Sequence, residues 1–287
     1  YTNCINNLEL IFAILMLKIL SIMNNNSPLK RFGQNYLQDQ NIIKKIITEI
    51  DPKEIDNIIE IGPGRGALTE KLLEFNAELT AVEIDKRVID ELKTRFANLK
   101  LLQSDFLKID LINFINSNDQ KFRVVGNIPY NITSPILFKL FENNTIIKDA
   151  VFMVQYEVAK RMTAKIGSKD YGILSVLLEY FGNTKLAFKV SPNVFYPKPN
   201  VDSAVVHIFF NEIRNNFEFN TVFKSIVKSA FGNRRKTLKN SLSNGIFADV
   251  NFSKSGIDLS LRAEQLKLDD FIKLAEFTIV NKSGFHN

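Results

Sequence analysis

Residues 126–130 of the chain read GNIPY, at the end of the apolar run VVG. Asn127 carries a side-chain carbonyl and Ile128 a main-chain one. Pro129 restrains the chain around that second carbonyl, and Tyr130 adds a flat ring. Two acceptors beside a ring suit a planar base bearing an exocyclic amine. Such an amine is a poor nucleophile, because its lone pair is delocalised into the ring. Acceptors on its two hydrogens let the lone pair localise and aim the nitrogen at an electrophilic carbon. Stacking of the base on Tyr130 is worth ~1–3 kcal/mol, and good orientation removes up to ~7–11 kcal/mol of barrier. No base of shifted pKa is required, since the proton can leave after transfer. Taken alone, the stretch also fits a strand ending in an Asn-Pro turn, so its neighbours decide.

Upstream, EIGPGRGALTE spans residues 60–70. Gly62, Gly64 and Gly66 let the backbone turn tightly and approach a ligand that a Cβ would block. Gly62, Gly64 and Ala67 also satisfy the looser dinucleotide pattern, and a turn without a ligand fits as well. Glu83 ends the run LTAVE, where a carboxylate can accept from both hydroxyls of a ribose; a solvated strand end is the plainer alternative. A nicotinamide cofactor and S-adenosylmethionine both carry such a ribose. Asp105, just after LLQS, separates them better, because it can accept from an adenine amino group. Three successive strand ends then offer a glycine turn, an acid for ribose and an acid for adenine. Phe195 and Tyr196 lie in the proline-stiffened loop SPNVFYPKPN; Phe195 is a candidate for the second face of the target base, or else a core plug.

The elements that must position these residues follow from periodicity. Residues 57–61, 79–84, 99–103, 122–126 and 150–155 read as buried strands, with two more near 184–190 and 203–210. Residues 39–50 form a helix with Asp39 as N-cap and Ile42, Ile43, Ile46, Ile47 and Ile50 on one face. Further helices follow the glycine turn, Glu83, GNIPY and residue 155. This alternation predicts an α/β, Rossmann-like fold with a mostly parallel seven-stranded sheet covered on both faces. After residue 210 the alternation stops, and residues 211–287 read as a small all-helical domain. Residues 24–210 form the α/β domain, and residues 1–23 are expected to lie outside the natural protein or to be unstructured.

Composition narrows the functions. The chain has 287 residues, 45% of them hydrophobic, and a net charge of +6, which favours anionic partners. One cysteine, Cys4, and two histidines, His207 and His286, leave no disulfide, no cysteine zinc site and no His-rich metal cluster, so no metal is expected. A reducing, cytoplasmic setting fits. The apolar run from Leu10 to Leu17 is short of the ~20 residues that span a bilayer, and no membrane association is expected. Residues 211–287 hold 12 Lys and Arg against 8 Asp and Glu, and no acid falls between Phe219 and Ala248. Lys224, Lys228, Arg234, Arg235, Lys236 and Lys239 lie in that interval, a cluster suited to a phosphate backbone or, more simply, a solvated helix face. Lys30 and Arg31 add a second basic pair.

As a set, FGQNYL, EIGPGRGALTE, VEID, QSDF, GNIPYNI, FYPKPNVDSAVV and AFGNRRKTLKNSL resemble the small-subunit ribosomal RNA adenine dimethyltransferases, bacterial enzymes whose loss confers kasugamycin resistance. The resemblance runs from about residue 28 to the C-terminus. It implies a class I methyltransferase fold and S-adenosyl-L-methionine as donor, with S-adenosylhomocysteine as product. It implies N6,N6-dimethylation of two adjacent adenosines in a hairpin loop near the 3′ end of the RNA. The expected partner is the RNA within the immature 30S particle, met by a monomeric enzyme. By the same resemblance Asn35, Leu37, Gly62, Gly64, Gly66, Glu83, Asp105 and Asn127 contact the donor. Asn127, Ile128, Pro129 and Tyr130 then serve the target base, with Phe195 opposite. Arg65 departs from the family pattern, which often has a small or apolar residue there, and is expected to point outward. Three alternatives stand beside this one. They are the large-subunit RNA methyltransferase of macrolide resistance, a non-catalytic assembly or transcription factor on the same fold, and a nicotinamide dehydrogenase, which would lack an acid–base histidine.

Overall fold

The computed structural model describes residues 34–114, 120–211, 216–233, 235–243 and 245–281. The expected N-terminal extension and the Lys30–Arg31 pair lie outside the described residues.

The longer strands fall on short runs rich in Val, Ile and Phe. They are β1 (Tyr36–Leu37), β2 (Asn57–Ile61), β3 (Glu78–Glu83), β4 (Lys100–Gln103), β5 (Phe122–Asn127), β6 (Ile147–Gln155), β7 (Gly182–Val190), β8 (Phe195–Tyr196) and β9 (Ser203–Phe210). Seven of them form one sheet in the order β4-β3-β2-β5-β6-β9-β7. β4, β3, β2, β5 and β6 run parallel. β9 is antiparallel to both β6 and β7. The strand order reverses between β2 and β5, and ligands of open α/β sheets bind beyond the carboxyl ends of the strands at such a point. β1 and β8 form a separate antiparallel pair that joins Tyr36 to Tyr196 and Leu37 to Phe195.

Successive strand residues point to opposite faces, and the core divides accordingly. Ile58, Val125, Val151 and Met153 face one layer, while Ile59, Val124, Phe152 and Val154 face the other. The first layer is covered by α1 (Gln40–Ile50), α2 (Ala67–Leu73) and α3 (Lys86–Arg95). Asp39 caps α1 as expected, accepting from the Asn41 and Ile42 amides at 2.9 and 3.0 Å, a contact worth ~1 kcal/mol. The second layer is covered by α4 (Thr133–Glu142), α5 (Tyr156–Met162), α6 (Ile173–Phe181), α7 (Phe217–Phe231) and α9 (Leu268–Asn281), with α8 (Leu238–Leu242) on α7. The helices after β9 thus share the hydrophobic cluster of α4 and α6. Tyr180 donates to Asn220 at 2.9 Å and Tyr171 to the Leu266 carbonyl at 3.0 Å, tying α6 to that region.

Candidate active site

A cleft opens over the carboxyl ends of β2, β3, β4 and β5, roofed by the strap of residues 34–37. Its floor is the glycine turn. Gly62 and Gly64 sit at φ +63° and +54°, a region L side chains rarely adopt. A Cβ on Gly64 would lie 3.0 Å from the Tyr36 ring, so the strap packs directly on the turn. A Cβ on Gly62 would meet no protein atom within 4 Å; the turn there leaves open space for a ligand. At Gly126 the demand is different, since a Cβ would sit 2.5 Å from the Ile61 carbonyl. The close approach of β5 to β2 fixes the position of Asn127 one residue on.

Three carboxyls line this cleft. Glu83 takes the Ile84 and Asp85 amides on Oε1, both at 2.8 Å, and a further main-chain bond from Gly64. Burial nevertheless pushes its carboxyl above the ordinary range. Asp105 uses Oδ1 to accept from the Leu107 amide at 3.0 Å and lines the cleft. Glu60, which sequence reasoning missed, is buried at the end of β2 and accepts from the Thr69 hydroxyl at 2.6 Å. Its burial pushes the carboxyl up to about 7. Position 60 sits within an apolar strand, and that placement was the available signal.

Asn127 ends β5 beside this pocket. Its amide nitrogen donates to the Asn35 carbonyl at 2.8 Å, which leaves Oδ1 as the atom for a ligand. Ile128, Pro129 and Tyr130 line the same cleft; the Ile128 side chain is buried and its amide donates to the Met153 carbonyl. Tyr130 is half-buried, and its hydroxyl is paired with Ser203 of β9 at 2.7 Å, which fixes the ring at the rim. Burial raises its phenol above the usual value. Gln34 and Tyr36 were also missed. Tyr36 donates to Gln34 at 2.9 Å and Gln34 to Asp85 at 3.2 Å, so the strap is tied to the turn after β3. Ile84, expected as the last strand residue, lies past β3, half exposed at the cleft wall.

Three expected placements differ. Gly66 does not line the cleft: a Cβ there would lie 2.8 Å from the Phe96 ring and 3.0 Å from Leu92, so this glycine lets the turn pack on α3 rather than approach a ligand. Phe195 is 4% exposed and pairs with Leu37 in the core beneath the strap, so it does not line the cleft; its apolar ring gains more from that layer than from the rim, and Tyr196 is the exposed member of the pair. Arg65 does not point away: its guanidinium lies over the Tyr36 ring, 5.0 Å from the centroid, and it lines the cleft. Leu37 is buried and contributes to the cleft wall beside Asn35. In the basic cluster, Lys224 pairs with Glu142 of α4 at 3.3 Å and is largely covered, while Lys228 lies 4.2 Å over the Phe138 ring. Arg235, Lys236 and Lys239 are exposed, and Arg234 lies outside the described residues. Among the described residues no group of His, Cys, Asp or Glu is arranged to hold a metal ion, and no helix is long and apolar enough to cross a membrane.

The sheet order, the glycine turn and the cleft at the switch point define a class I S-adenosylmethionine-dependent methyltransferase fold. The chain belongs to the ribosomal RNA adenine dimethylase family, whose pattern it matches over residues 25–279. It is 43% identical over 255 residues to ribosomal RNA small subunit methyltransferase A of Francisella tularensis subsp. novicida, covering 86% of this chain and 96% of the relative. It is also 43% identical over 251 residues to the protein of that name from Pseudomonas syringae pv. tomato, covering 86% and 93%. A dimethyladenosine transferase from Plasmodium falciparum superposes with a TM-score of 0.70 at 28% identity, covering 85% of this chain and 98% of that one. The 23S rRNA methyltransferase ErmE shares the fold with a TM-score of 0.62 at 24% identity, covering 85% and 99%.

Proposed function

We propose that this enzyme transfers methyl groups from S-adenosyl-L-methionine to N6 of two adjacent adenosines in a hairpin loop near the 3′ end of small-subunit ribosomal RNA, giving N6,N6-dimethyladenosine. The observation that carries this is the Asn127 amide, held by the Asn35 carbonyl so that Oδ1 is free, beside the rim ring of Tyr130.

The open space at Gly62 and the carboxyls of Glu83 and Asp105 fit a nucleoside-bearing donor. When bound, that donor supplies an electrophilic methyl group. Glu83 would accept from its ribose hydroxyls and Asp105 from its adenine amine, while Asn35, Leu37, Gly62 and Gly64 shape the wall. On the acceptor side, Asn127 Oδ1 and the Ile128 carbonyl accept from the two hydrogens of the target amine. This aims the nitrogen and lets its lone pair leave the ring. Pro129 stiffens that corner and Tyr130 stacks on the base. In each transfer the amine nitrogen would gain the methyl carbon as that carbon's bond to the donor sulfur breaks, the electron pair staying on sulfur, and the amine would give up one proton to solvent. No side chain has to act as base, and no metal is needed. Phe195, buried beneath the strap, has no part in this set. We assign catalysis to residues 24–210 and RNA binding to residues 211–287, with Lys228, Arg235, Lys236 and Lys239 meeting phosphates. The substrate is the RNA of the immature 30S particle, and the enzyme acts as a cytoplasmic monomer.

Mass spectrometry of small-subunit RNA from cells with and without this protein tests the assignment. Dimethyladenosine pairs present only with the protein support it. Modification of large-subunit RNA by primer-extension mapping would move the substrate, and no incorporation of tritium from labelled donor would make the chain a binder.

A further inference from the structure

Arg65 stands between two left-handed glycines, Gly64 at φ +54° and Gly66 at φ +78°. Its carbonyl accepts from Arg95, and Arg95 also pairs with Glu70 of α2 at 3.0 Å, so the turn is held from outside. The side chain goes the other way. It crosses the cleft wall and lays its guanidinium on Tyr36, whose hydroxyl is fixed through Gln34 to Asp85. A planar cation is thereby held over the β2 turn by a ring that is itself anchored.

The charges of the cleft follow the strand order. Asp105 follows β4 and Glu83 ends β3, and Asn127 ends β5 on the far side. The β2 turn lies between the two acids and Asn127. A nucleoside held by the acids, with its reactive group facing Asn127, has only the β2 turn left for its remaining substituent. There the protein offers a buried carboxyl, Glu60, and a guanidinium, Arg65. A carboxylate is the group a guanidinium fork recognises best, through two parallel hydrogen bonds.

We propose that Arg65 clamps the α-carboxylate of the donor's amino-acid tail, with Tyr36 setting the plane of its guanidinium. This rests on the donor-site assignment above and adds a specificity residue to it. Arg65 discriminates donors and products that keep the amino-acid tail from nucleosides that have lost it.

Binding calorimetry with two probes tests this on the full chain. S-adenosylhomocysteine has the tail; 5′-methylthioadenosine has the same nucleoside and thioether sulfur without it. Arg65→Leu should raise the dissociation constant for S-adenosylhomocysteine by at least about tenfold, the loss of a charge-assisted pair, and leave that for 5′-methylthioadenosine unchanged. Arg65→Lys should fall between, keeping the charge without the fork. Arg65→Gln should behave like the leucine variant; this second variant covers a leucine protein that fails to fold. Equal losses for both probes would overturn the proposal, assigning Arg65 to the shape of the turn. So would no loss for either, including the case where RNA binding alone weakens and the partner is a phosphate. If the unaltered protein bound neither probe, the donor-site assignment itself would fall.

Discussion

The two edges of the sheet both bury charge, and they treat it in opposite ways. At the amino edge Arg123 donates to Asp149 at 2.8 and 2.7 Å, to Asp56 at 2.8 Å and to the Ile50 carbonyl at 2.6 Å. His207 faces Glu49 and Asp149 with its two ring nitrogens, at 2.8 and 3.0 Å, and Lys185 reaches Glu49 at 3.1 Å. Burial alone would raise Asp149, yet bonds from His207 and Arg123 outweigh it and hold the carboxyl below its usual range. Glu49 is lowered in the same way by His207 and Lys185. At the carboxyl edge, Glu60 and Glu83 are raised by burial, and their hydrogen bonds from hydroxyl and main-chain groups do not compensate. Buried charge matched by protein charge holds α1 against the sheet. Buried acid left against an open cleft waits for a ligand.

Breaking the closed edge should have the largest effect. Arg123→Ala leaves Asp149 and Asp56 buried without their shared cation, and should cost ~3–5 kcal/mol in urea unfolding. A cost under about 1 kcal/mol would mean the network is no tighter than a surface pair. Next comes Glu60→Gln, which keeps an acceptor for Thr69. The folded carboxyl titrates near 7 against 4.5 for the free group. Its neutral form is therefore favoured by folding, and wild-type stability declines as pH rises from 4.5 through 7. The glutamine variant should match wild type at pH 4 and exceed it above pH 7, by on the order of 3 kcal/mol at most. Parallel stability curves across that range would remove Glu60 from the comparison. Glu83→Ala should weaken donor binding by ~1.5–3 kcal/mol in calorimetry, and an unaltered dissociation constant counts against the ribose role. Smallest is Lys239→Ala, which should lower the slope of log K against log salt for RNA by about one.

The same contrast explains what could be read from the chain. The strand ends that form the cleft were legible, because each apolar run stops at Gly62, Glu83, Asp105 or Asn127. The helix of residues 39–50 was legible from its cap and its isoleucine stripe. α6 was not, because ILSVLLEYF is apolar almost all round and shows no polar face. The β1–β8 pair was also hidden. Two residues joined to two others some 160 positions away leave no local period, and that pair is what draws Phe195 into the core. Gln34, Tyr36 and Ser203 act through partners distant in sequence, so their roles emerge only when the chain is folded. The amino-edge network has the same character. Arg123 opens a strand like any edge charge until Asp56 and Asp149 are brought to it.

The slot at Asn127 is tested most directly by single-turnover methyl transfer with Asn127→Ala, at saturating donor and RNA. The rate should fall well over about tenfold, with the affinities for donor and RNA largely intact. A rate equal to wild type would show that the Asn127 amide does not prepare the amine, and the account of catalysis would be wrong.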